Sequence, residues 1–138
     1  MTNLPMTNLP MTNLPTTNLP KRGAAKSIVT VVLFLLLLVA GFILLKEAGA
    51  QGHCQSIADT LELELSNGPS DEKVHEILGL TPTKTRTPGP NIYVEEYSKG
   101  GPLKNYTTYA YYRTGAVKLL EAVSVNQTIP EWEKPGGD

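Results

Sequence analysis

Apolar and polar positions divide the chain into three stretches of different period. Residues 27–45, "SIVTVVLFLLLLVAGFILL", carry no charge and no proline, and fifteen of them are Leu, Ile, Val or Phe. As a helix this run reaches about 28 Å, close to the ~30 Å hydrocarbon core of a bilayer. A helix packed on the surface of a soluble domain keeps a polar stripe every three or four residues, and this run has none. Summed residue by residue, its insertion gains about 4–9 kcal/mol. The pattern predicts a transmembrane helix.

Beyond the run the period changes twice. Ile57, Leu61 and Leu65 recur every four residues, as in a short helix ended by Asn67-Gly68, although "LELEL" also fits a period of two. A second helix is better marked. Ser70 is its N-cap, Asp71 and Glu72 place negative charge on the first turn, and Val74, Ile77 and Leu78 make one apolar face. Gly79 suits a left-handed cap and Pro82 prevents continuation. "TPTKTRTPGPN", residues 81–91, reads as a loop on composition.

Three segments of period two follow: 91–97, 104–113 and 116–125, separated by Gly100-Gly101-Pro102 and Thr114-Gly115. With Thr114-Gly115 as a two-residue hairpin turn, Tyr112 faces Val117, Ala110 faces Leu119 and Tyr106 faces Val123. The reverse face then carries Tyr109, Tyr111, Lys118 and Leu120. The expected fold class is α+β: a single transmembrane helix, then a small two-layer domain of two helices and a three-stranded antiparallel meander. The boundaries expected are a tail over 1–26, the signal-anchor helix over 27–45, a linker over 46–54, the domain over 55–127 and a flexible tail over 128–138. Trp132 in that last tail either docks on the sheet or hangs free.

The chain opens with "MTNLPMTNLPMTNLPTTNLP", one five-residue phrase given four times. A proline at every fifth position stops a helix from propagating, and four leucines in twenty residues bury too little to offset ordering. A disordered tail is expected.

Charge orients the apolar run. Lys21, Arg22 and Lys26 precede it without an acid, whereas nine basic and thirteen acidic residues follow it. This split argues against nucleic-acid binding and for a membrane with two different sides. By the positive-inside rule the amino terminus is cytoplasmic and residue 46 onward extracytoplasmic, in a cell inner or plasma membrane. A second reading is cleavage after Ala50, since Ala48-Gly49-Ala50 has the small-x-small form of a peptidase site. The retained anchor is favoured because cleavable apolar regions run 7–15 residues. Lipidation at Cys54 is disfavoured by His53 before it.

Candidate chemistry is sparse. The single cysteine, Cys54, excludes an internal disulfide and a cysteine-based metal cluster, and leaves an unpaired thiol for which a disulfide-linked dimer through Cys54 is one use. Cys54 beside His53 lacks a pocket to activate the thiol. His75, with Asp71 and Glu72 before it, reads as a solvated helix face. Glu95 and Glu96 are strand neighbours and point to opposite faces, so they make no acid pair. No catalytic, cofactor-binding or metal-ligating residue is expected, and no cofactor. All six tyrosines fall between residues 93 and 112. Tyrosine gives large contact area at low entropy cost, so Tyr93, Tyr97, Tyr109, Tyr111 and Lys118 form the candidate partner surface.

"SDEKVHEILGLTP", residues 70–82, followed by tyrosine-rich strands, resembles the small lipoprotein of the outer-membrane β-barrel assembly machinery and its superfamily. The resemblance covers about residues 55–125 and rests on Ser70, Val74, Leu78-Gly79 and Pro82. It implies a two-helix, three-strand order. The chain departs from that pattern in lacking a lipobox cysteine, in having a protein anchor in place of lipid, and in placing Leu80-Thr81 between Gly79 and Pro82. Together these features lead to a single-pass, non-enzymatic binding or scaffold protein, with the lipid bilayer and another envelope protein as partners. The alternative is a secreted soluble binding or inhibitor protein released after Ala50.

Overall fold

The computed structural model describes Asn3 and residues 22–134, so the expectation for the repeats lies outside the described residues. The chain divides into two units, Met1–Val39 and Ala40–Asp138. The elements are α1 (Arg22–Glu64), a 3-10 turn (Leu65–Asn67), α2 (Asp71–Leu78), β1 (Lys84–Gly89), β2 (Ile92–Gly100), β3 (Asn105–Thr114) and β4 (Lys118–Val125). The fold class is α+β. Among the described residues one helix, α1, is long and apolar enough to cross a membrane. Its apolar window is not buried, which separates it from the core helix of a soluble protein; a signal sequence has the same properties.

The second unit places α1 and α2 on one face of a four-stranded antiparallel meander, β1-β2-β3-β4. Glu47, Ala50, Cys54, Ile57, Ala58 and Leu61 are buried, a stripe at helical spacing that runs well upstream of the expected first helix. The expected linker over 46–54 is therefore helical. Its sequence disguises this, because Ala50 and Cys54 are small and Gly49 and Gly52 are weak helix formers. Small residues let the helix axis approach the sheet, and Thr108 Oγ1 donates to the Cys54 carbonyl at 2.7 Å.

The main core joins Ile57 and Leu61 of α1, Val74 of α2, and Tyr97, Ala110, Tyr112 and Leu120 of the sheet. Each full burial of such a side chain contributes about 1.5–3 kcal/mol. Helix ends follow the sequence. Gly68 and Gly79 take left-handed φ of 52° and 62°, and the Ser70 hydroxyl accepts from the Lys73 N–H.

Three sheet features differ from expectation. The segment read as a loop over 81–91 contains β1, which pairs with β2 through Lys84↔Glu96, Thr85↔Glu95 and Arg86↔Val94. It is an edge strand without an apolar face, so no hydrophobic alternation marks it. Lysine and Pro88 on an edge also discourage pairing with another chain. Second, β3 and β4 meet through Thr114↔Lys118 and Tyr112↔Leu120, with an irregularity between Tyr111 and Tyr112. The turn holds three residues instead of two, Leu120 is 1% exposed and Leu119 45%. The expected pairing of Ala110 with Leu119 is thus replaced by Ala110↔Val123. Third, the described part of the tail expected to be flexible covers the far face of the sheet, and of the two readings kept for Trp132 the docked one is found: Ile129 and Trp132 pack on Ile92, Val94 and Tyr111. Asn126, at φ 60°, starts that return, and its side chain accepts from the Thr107 N–H at 3.1 Å.

Candidate functional site

Chemistry-bearing side chains concentrate at three places. The first lies between α2 and the sheet. Glu95 is fully buried, yet its carboxylate has three donors: His75 Nε2 at 2.7 Å, Tyr97 Oη at 2.8 Å and Tyr112 Oη at 2.9 Å. Burial, and after it the Glu95 carboxylate, push the Tyr97 and Tyr112 phenols far above their ordinary value, so both remain neutral donors. His75 therefore turns toward the sheet and not to the solvated face read from sequence, and Asp71 pairs with Lys118 at 3.2 Å. One Glu95 oxygen takes the histidine and the other takes both tyrosines, which ties α2, β2 and β3 together through one charge. Only the His75 ring reaches the surface, with a third of its side chain exposed.

The second place is the far face. The Arg86 guanidinium binds both oxygens of Glu133 at 2.7 Å and also bonds Glu96, so Glu95 and Glu96 do lie on opposite faces. Tyr111 Oη donates to Glu133 at 3.0 Å and accepts from the Ile129 N–H at 2.9 Å, beneath the Trp132 ring. The Arg86 hydrogen bonds hold the Glu133 carboxyl below its ordinary 4.5. A carboxylate with a lowered folded pKa contributes stability above its unfolded value, and that stability is lost as pH falls through the folded one. Lowering pH below about 4.5 is thus expected to release this segment and redden the emission of Trp132, the chain's one tryptophan. Replacing Arg86 with alanine should give the reddened emission already at neutral pH. An emission unchanged by acid would contradict the docking.

The third place is a carboxylate on α1. Glu47 Oε1 accepts from Tyr106 Oη at 2.5 Å, and Oε2 from the Leu103 N–H at 3.0 Å. These bonds, Tyr106 first, lower the Glu47 pKa, and the same contact pushes the Tyr106 phenol up to about 12.

The five residues expected to form a partner surface do not share a face. Tyr97 is 3% exposed in the main core. Tyr93 stacks near Tyr112, with Lys118 Nζ 3.8 Å above its ring, on the helix side. Tyr111 is buried on the far face under Trp132, and Tyr109 is half-buried beside it. The β2–β3 register is the reason, since it sets Tyr93 opposite Tyr112 and Tyr97 opposite Thr108 on the helix side while Tyr109 and Tyr111 alternate to the far face. The returning segment after β4 then covers Tyr111.

Cys54 is completely buried, with its thiol 3.6 Å from the Tyr97 carbonyl, and burial pushes its pKa up. The fold closes the thiol off, so a disulfide-linked dimer through Cys54 would require α1 to leave the sheet. Folded protein is expected to resist a water-soluble maleimide at neutral pH and to react fully in denaturant. Fast labelling of folded protein would contradict this packing.

Among the described residues, no group of three or more His, Cys, Asp or Glu is placed to hold a metal ion. No family model, curated protein or solved structure matches the chain.

Proposed function

We propose that the chain is a single-pass membrane protein whose α+β domain stands outside the cytoplasm and binds or steadies another envelope protein, without catalysis. The observation that carries this reading is the upstream reach of the domain's packing. Ala50 and Cys54 pack on Tyr106, and Glu47 holds the loop between β2 and β3. Cleavage after Ala50 would strip Glu47 from Tyr106 and Leu103, so the released alternative starts with an opened edge. The folded domain thus uses residues that begin only two positions beyond the apolar run. The basic residues before the run support a cytoplasmic amino terminus.

The non-catalytic part of the reading is supported by the Glu95 cluster, whose acceptor oxygens are filled by the chain's own donors and whose carboxylate is shut from solvent. A general acid or base has to reach a substrate proton. The resemblance to the β-barrel assembly lipoprotein superfamily directs the search for a partner to envelope proteins. Mass spectrometry of the mature amino terminus tests the anchor. A terminus upstream of residue 27 is expected, and one at Gln51 would overturn the reading in favour of a released protein.

A further inference from the structure

The loop between β2 and β3 lies beside α1 where the apolar run ends. Glu47 is two residues past Leu45, about 3 Å along the helix axis. It fixes the loop through the Leu103 N–H and Tyr106 Oη. A Cβ on Gly101 would collide with the Glu47 carboxylate, so the close approach requires glycine there. A cleft of about 500 Å³ opens at the same level, lined by Leu45, Lys46, Gly49, Lys99, Gly100 and Pro102.

Its character is cationic and apolar together. Lys46, Lys99 and Lys104 are exposed, and none joins a salt bridge among the described residues. The neighbouring acid, Glu47, is turned inward and occupied. Lys46 Nζ lies 5.4 Å from the Phe42 ring centroid, in the direction of the apolar run. Leu103, at the loop tip beside exposed Pro102, is 69% exposed although nothing in its backbone pairing requires that. Lys104, whose Nζ lies 4.9 Å from the Tyr106 ring centroid, follows Leu103 in the chain, and Lys99 and Lys46 line the cleft beside the loop. An exposed leucine with lysines nearby is an arrangement by which protein surfaces lie in a bilayer interface, with alkyl groups below the headgroups and ammonium groups among the phosphates.

We infer that the β2–β3 loop is a second membrane contact: Leu103 enters the interface, while Lys46, Lys99 and Lys104 bind anionic phospholipid headgroups of the leaflet from which α1 emerges. This rests on the anchored reading above. The occupant is argued from continuity with the apolar run and from charge complementarity. The contact would fix the rotation of the domain about the axis of α1, which a single helix alone leaves free.

The test uses full-length protein with an environment-sensitive fluorophore on Leu103→Cys, and in a second preparation on Val117→Cys, both carrying Cys54→Ala. Val117 is also exposed but lies in the β3–β4 turn. Each is reconstituted into vesicles of phosphatidylcholine alone or with an equal part of phosphatidylserine, containing lipids brominated near the headgroup. In the mixed vesicles the label at 103 is expected to be quenched several-fold more than that at 117. Lys46→Gln/Lys99→Gln/Lys104→Gln, or removal of phosphatidylserine, should abolish most of that difference. Vesicles that carry the protein on flotation while both labels read water would overturn the loop contact and leave the anchor intact. Equal quenching at 103 with and without phosphatidylserine would overturn the anionic headgroup. Protein that fails to float would overturn the anchored reading itself.

Discussion

Replacing Leu36, Leu37 and Leu38 together with lysine is expected to release the protein from the membrane. Each change forfeits a favourable apolar transfer and adds the cost of a charge near the helix centre, a swing of about 3–4 kcal/mol. Three such changes exceed the about 4–9 kcal/mol that the whole apolar run gains on insertion. One change does not, so Leu37→Lys alone should remain in the pellet after an alkaline carbonate wash, while the triple variant should appear in the supernatant. These leucines are more than half exposed, so the substitutions remove no packing within the described chain. Retention of the triple variant would mean that something other than the apolar run holds the protein.

The second large effect concerns Glu95. Glu95→Ala should destabilise the domain by about 2–6 kcal/mol, at about 1–3 kcal/mol for each of two buried hydroxyls left without an acceptor. The loss comes from the buried hydroxyls of Tyr97 and Tyr112, which lose their protein acceptor. Replacing the buried part of the cluster gives the contrasting result. Glu95→Leu with Tyr97→Phe and Tyr112→Phe removes the acceptor together with its two buried phenol donors, and leaves His75 with a third of its side chain in solvent. This combination should recover most of the stability lost by Glu95→Leu alone. Denaturant titration of the full chain in detergent, followed by circular dichroism, measures both. Additive losses across the three substitutions would mean that the cluster contributes no network.

What was legible in the sequence follows from where the determinants lie. The apolar run and α2 are specified locally: an uncharged stretch of membrane length, and a serine cap and glycine stop that the backbone uses as expected. Strands β2, β3 and β4 show because tyrosine, valine and threonine alternate between breakers. The details that failed depend on partners distant in sequence. β1 is held by backbone pairing and by Arg86, and it buries no apolar face. The β3–β4 register was ambiguous because Leu119 and Leu120 are adjacent, so either register buries one leucine. Only the three-residue turn and the irregularity near Tyr111 decide between them.

The candidate sites were less legible for the same reason. His75 and Glu95 are twenty residues apart and meet only when α2 lies across the sheet. Glu133 reaches Arg86 across forty-seven residues, and without that pair no rule tells a docked Trp132 from a free one. Cys54 read as a linker thiol because Gly52 and His53 precede it. Its burial becomes visible only when Ala50, Cys54, Ile57 and Leu61 are seen as one helical stripe.

Two reporters fused in turn after Asp138 measure the sidedness of the domain: alkaline phosphatase, active only outside the cytoplasm, and green fluorescent protein, which matures in the cytosol. Active phosphatase with a dark fluorescent fusion is the predicted outcome. A bright fluorescent fusion with inactive phosphatase would place the domain on the same side as the basic residues that precede the helix and contradict the account at its root.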